Sequence, residues 1–170
     1  AQESDPKRIN SALARQAWLA RDEAERQELW RVRRELSLSL KMITPLKFNH
    51  DVVVPRGRVP GLFAAVATLK QEHRLRIACF GHAGDGNIHV NLMVNPADED
   101  DMRRPADAEG ELFAGVIALE GSISGEHGIG FSKAPFLPIE LSAEEIALMK
   151  RVKQAFDPQN LLNPGKIFPD

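Results

Sequence analysis

With 170 residues, 43% of them hydrophobic, the chain is long enough to bury one core without disulfides or structural metals. A net charge of -2 and a pI near 6.3 exclude the basic footprint of a nucleic-acid binder and give no attraction to an anionic membrane surface. The single cysteine, Cys79, has no internal partner, and there is neither a signal-peptide core nor an apolar run of membrane-spanning length, so the expectation is a cytoplasmic protein.

Residues 1–20 are alanine-rich and polar and read equally well as more helix or as a frayed end. From Arg21 to Met42 the spacing of Leu29, Val32, Leu36 and Leu40 predicts an amphipathic helix, with Trp30, Arg33 and Ser37 on an adjoining face. Asp51 to Val54, ended by Pro55, reads as a strand, and Val59 to His73 as a helix carrying Leu62, Val66 and Leu69 behind Pro60. Leu75 to Phe80 and Ile88 to Val94 are two more strands, joined through Gly84-Asp85-Gly86-Asn87 as an antiparallel hairpin. After an acidic loop at Asp98 to Asp101, a helix follows through Leu112, Phe113, Val116, Ile117 and Leu119, and Gly121 to Ser124 is expected as a last short strand.

The order β-α-β-β-α-β is the split βαβ, or ferredoxin-like, arrangement of the α+β class: two helices on one face of a four-stranded antiparallel sheet, the other face open. Ser142 with Glu145 predicts a capping box for a further helix ending near Asp157-Pro158, with an irregular tail behind it. Residues 1–170 read as one domain with helical extensions at both ends.

The chemistry concentrates in Gly81-His82-Ala83-Gly84-Asp85-Gly86-Asn87-Ile88-His89-Val90 and Ser124-Gly125-Glu126-His127-Gly128-Ile129-Gly130, which hold three of the five histidines. Along the third strand Ile88, Val90, Leu92 and Val94 alternate with His89, Asn91, Met93 and Asn95, so the face away from the helices is polar. His82 and His89 flank a tight hairpin and can converge on one point; Glu126 or His127 would add a third ligand, and two His with one carboxylate and open positions suit a catalytic metal. Taken singly, each segment reads as turn chemistry, and Asp85 as a turn former; only together do they favour the metal. Glu126 and His127 are adjacent and would point apart, one holding the metal and the other serving as general base, or His127 would be no more than a turn residue. Arg33 and Ser37 could grip a substrate carboxylate or simply be solvated, as Arg31 and Arg34 are, and Lys47 is equally open.

These motifs, with Leu29-Trp30-Arg31-Val32-Arg33, Asp51-Val52-Val53-Val54-Pro55-Arg56 and the closing Asp157-Pro158 and Asn163-Pro164-Gly165-Lys166, stand in the order found in a known family. The chain resembles, from about Ala20 to its end, the C-terminal domain of FAD-linked oxidases and dehydrogenases of the vanillyl-alcohol-oxidase superfamily, the group of D-lactate, glycolate and D-2-hydroxyglutarate dehydrogenases. The resemblance implies metal ligands at His82, His89 and Glu126, a catalytic base at His127, substrate contacts at Arg33, Ser37 and Asn91, and a tail carrying Asn163 and Lys166 toward the flavin. It implies oxidation of a small D-2-hydroxyacid with hydride passing to FAD, and a divalent metal, with zinc the first choice. Members acting on 2-hydroxyglutarate carry Lys two residues before the strand aspartate; this chain has Asn49 there, which favours a shorter acid such as lactate or glycolate. The FAD-binding domain is not expected within these residues, and its docking place would be the open polar face. An electron acceptor, a peripheral contact with the inner face of the membrane and a second copy of the chain are further candidate partners.

Two rival classes follow from the same features. An RNA-binding module of this fold would need aromatics on its central strands, yet the chain has no Tyr and shows His89 and Asn91 at those places. A stand-alone metal-dependent hydrolase would use the same ligands with water and need no flavin.

Overall fold

A computed structural model describes residues 18–168, so the reading of the first 17 residues lies outside the described ones. The chain divides into two compact units, residues 1–45 and 46–170.

In the first unit, α1 runs Glu23–Ile43. Asp22 caps it by accepting from the Glu25 N–H at 2.9 Å, and Arg31 is paired with Glu28 at 2.5 Å and Glu35 at 3.0 Å. The expected apolar stripe is not buried: Val32 and Leu36 are exposed, as is Trp30, while Arg33 and Ser37 are half-buried. The Arg33 guanidinium stands 5.9 Å from the centre of the Trp30 ring.

The second unit is built on β1 (Leu46–Val53), β2 (Arg76–His82) and β3 (Asn87–Val94), antiparallel in the order β1-β3-β2. Between β1 and β2 runs α2 (Val59–Glu72), and after β3 come α3 (Glu99–Ala118), a short α4 (Leu137–Glu140) and α5 (Ala143–Phe156). Val52, Val90, Leu92 and Val94 on one face meet Leu62, Val66, Leu112, Phe113 and Val116 of α2 and α3 in a single core. Cys79 packs beside it, and burial pushes its thiol up to about 11, so it is an inert core residue. Ser142 and Glu145 close the predicted capping box. No helix among the described residues is long and apolar enough to cross a membrane.

Three expectations need correction. The acidic stretch is not a loop: Asp98 accepts from the N–H groups of Asp100 and Asp101, and Glu99 to Asp101 form the first turn of α3, where negative charge is favoured. The fourth strand is reduced to one bridge, Val53 with Ser122, on the free edge of β1. Past the bridge the Ser124 N–H turns to the Ser122 hydroxyl at 3.3 Å, and the Asp51 carbonyl accepts instead from the Gly125 N–H at 3.3 Å. Nor is the second face open along its centre, since His89, Asn91 and Met93 are 7, 0 and 4% exposed. Lys47 reaches across β3 to within 5.8 Å of the Phe80 ring on β2, and the loop after the Ser122 bridge lies over Asp51 and Asn87.

Candidate functional site

The register decides which residues share the second face. Asp51, His89 and Phe80 form one row across β1, β3 and β2; Val53, Asn87 and His82 form the next, and Asn49, Asn91 and Ala78 the row on the other side. The hairpin that sets this register turns at Gly86, with φ +78°. A side chain there would put its Cβ 1.9 Å from the Val54 carbonyl oxygen, so only glycine allows the turn to close against β1.

The loop from Gly125 to His127 hangs over the Asp51 row. Asp51 is fully buried; its Oδ2 accepts from the backbone N–H of Glu126 at 2.5 Å and of His127 at 2.8 Å, and its Oδ1 from Asn87 Nδ2 at 2.6 Å. Gly125 brings the loop this close: a Cβ there would lie 2.0 Å from Asn87 Nδ2. One donor atom each of Asp51, His89 and Glu126 lie within 4.8 Å of one another. The His89 ring sits between Phe80 and His127, at 5.3 Å from each ring centre.

Of the residues singled out in the sequence, His89, Glu126 and His127 therefore meet at one place. His82 shares their face one row along, at the end of β2 and half-buried; the close group of donors takes Asp51 instead. Asn91 lies in the row on the other side, fully buried, donating to the carbonyls of Ala78 at 3.1 Å and His89 at 3.2 Å. Its Oδ1, like that of Asn87, is a buried acceptor with no donor bound. Imidazole and carboxylate donors grouped in this way fit a divalent cation of zinc, manganese or iron type. Asn163 and Lys166 are in the tail, where Lys166 Nζ donates to Asn163 Oδ1 at 3.0 Å and the Ile167 N–H binds the Gly130 carbonyl at 2.8 Å, folding the tail against the far end of the same loop. Arg33 and Ser37 belong to the first unit. A second group, Glu72, His73 and Glu111, joins α2 to α3 at the surface through a His73–Glu111 hydrogen bond at 2.9 Å.

Sequence reasoning passed over Asp51 and Lys133. Lys133 is buried, its Nζ donating to the Asp51 main-chain oxygen at 2.7 Å; burial lowers its pKa, which the charges of Asp51 and Glu140 oppose. A lysine within a glycine-rich loop carries no local signal of burial, and an aspartate opening a valine run reads as a strand start. Burial opposes the charge on Asp51 too, but the hydrogen bonds from Asn87, His127 and Glu126, with the nearby His127, outweigh it and hold the carboxyl down at about 2. Because the folded value lies below the unfolded one, near 3.9, the stabilisation is complete above about pH 4 and is lost as pH falls towards 2. Denaturant titrations from pH 6 to 2 should show the stability difference between the chain and Asp51→Asn shrinking by about 2 kcal/mol over that window. A difference independent of pH would mean that Asp51 titrates normally.

The family model for the C-terminal domain of FAD linked oxidases matches residues 6–167. A glycolate oxidase subunit of Bacillus subtilis is 40% identical over 88% of this chain and 32% of its own length. A D-2-hydroxyglutarate dehydrogenase of Stutzerimonas stutzeri is 38% identical over 88% and 33%, and a D-lactate dehydrogenase of Anaerostipes hadrus 36% identical over 85% and 30%. The chain thus spans about a third of the length of the curated relatives it matches.

Proposed function

The chain belongs to the C-terminal domain family of FAD-linked oxidases, and from that premise we propose that it is the substrate- and metal-binding part of a flavin-dependent D-2-hydroxyacid dehydrogenase or oxidase. The observation that carries the reading is the meeting of His89, Glu126 and His127 over the buried Asp51.

His89 and Glu126, with His82 from the neighbouring row, would hold the divalent cation. When bound, the cation supplies Lewis acidity toward a hydroxyl and carboxylate, and FAD, carried by the rest of the full-length protein, supplies the electron acceptor. His127, exposed beside them, takes the proton of the substrate hydroxyl. Arg33 and Ser37 would contact a substrate carboxylate, Asn91 would contribute its amide oxygen to the substrate's surroundings, and Asn163 and Lys166 would serve the cofactor. Asn49, where a lysine would receive a distal carboxylate, favours glycolate or D-lactate over 2-hydroxyglutarate.

The test is anaerobic mixing of the metal-loaded, full-length flavoprotein with glycolate, D-lactate or D-2-hydroxyglutarate. Bleaching of the flavin by a short D-2-hydroxyacid is the expected result, with 2-hydroxyglutarate slower. No bleaching by any of them, or turnover by this chain with no flavin present, would sink the reading and favour a hydrolase.

A further inference from the structure

A carboxylate buried beside two metal-binding side chains invites the reading that it is a ligand too, but its bonds say otherwise. A carboxylate offers about four in-plane acceptor positions. On Asp51, Oδ2 is taken by the N–H groups of Glu126 and His127 and Oδ1 by Asn87 Nδ2, while His89 Nδ1 stands 3.8 Å from Oδ1, beyond hydrogen-bond distance. Three of those positions are filled by protein donors. The main chain of the same residue is anchored as well, its carbonyl accepting from Lys133 Nζ and, at 3.3 Å, from the Gly125 N–H.

We propose that Asp51 is the positioning residue of the site and not one of its ligands: it fixes the backbone of Glu126 and His127. The inference rests on the metal reading above and deepens it. Two adjacent residues with different tasks need a backbone held at both amides, since rotation of either peptide would exchange or lose the two side-chain directions; a single buried oxygen receiving both N–H groups prevents that.

Asn at position 51 separates the two roles. Its Oδ1 still accepts from both loop amides, and its Nδ2 finds the Asn87 Oδ1, now without a donor, once that amide turns over. Asp51→Asn should therefore bind zinc within about tenfold of the parent chain, whereas Asp51→Ala should lose about 100-fold. In the metal-free protein, amide hydrogen exchange at Glu126 and His127 should accelerate by about tenfold or more in Asp51→Ala and much less in Asp51→Asn. Loss of zinc by Asp51→Asn as complete as that of His89→Ala would make Asp51 a ligand and overturn the proposal, and so would unchanged exchange in Asp51→Ala. If Asp51→Ala does not fold, the Asp51→Asn comparison decides. A parent chain that takes up no zinc would remove the metal reading, while the exchange measurement would still test the hold of Asp51 on the loop.

Discussion

Truncation of Phe113 to alanine should destabilise the second unit by about 3–5 kcal/mol, a large part of the roughly 5–15 kcal/mol that holds a domain of this size folded. Phe113 is fully buried in α3 and is the largest such side chain among the described residues. Its ring meets Phe136 at 4.8 Å and stands edge-on to His50 at 5.3 Å, so its loss opens a cavity under β1 as well as between the helix and the sheet. His50 is the residue before Asp51 and is paired with Glu109 of α3 at 3.3 Å, which couples helix packing to the strand beneath the site. Urea unfolding of Phe113→Ala beside Phe156→Ala is the measurement. Phe156 is 85% exposed at the end of α5, and its truncation should change stability by less than about 0.5 kcal/mol. Equal effects at the two positions would mean that the core is not where the packing puts it.

What could be read from the chain beforehand was whatever a local pattern controls. The alternation in β3 separated the helix face from the polar face, Gly84 to Asn87 announced the hairpin, and Ser142 with Glu145 announced α5 to the residue. Boundaries were missed where polar residues serve structure. β1 begins at Leu46, six residues before the valine run, because Leu46, Phe48 and Val52 share the helix-facing side with the polar His50, which breaks the apolar alternation. The start of α3 was hidden by acidic residues that resemble a loop until their place at a helix N-terminus is known, and by Pro105 within the helix. The site divides in the same way. His89, Glu126 and His127 carry chemistry in their side chains and stand in glycine-rich segments, so they were visible. Asp51 acts through bonds to amides 75 and 76 residues away, and Lys133 through one to a carbonyl 82 residues away, and no window of sequence contains such partners. The covering of the second face by Lys47 and the loop was out of reach for the same reason, since it depends on long side chains and chain crossings and not on periodicity.

Replacement of His127 by alanine in the full-length, metal-loaded flavoprotein should lower kcat by about 10²- to 10⁴-fold while the zinc content and KM change little. The backbone argues for this split. The N–H of residue 127 binds Asp51 whatever side chain it carries, so the loop keeps its place, and Glu126 keeps its position beside His89. What the variant loses is an exposed imidazole at ring-contact distance from His89 but absent from the close set of donors. Glu126→Ala should behave in the opposite way, failing first in zinc retention and only as a consequence in turnover, because a carboxylate is removed from the donor set itself. The two variants are compared by metal analysis and by single-turnover flavin reduction. If His127→Ala loses zinc as Glu126→Ala does, His127 is a ligand and the division of labour between the neighbours fails; if it reduces flavin at the parent rate, the proton is taken by another group.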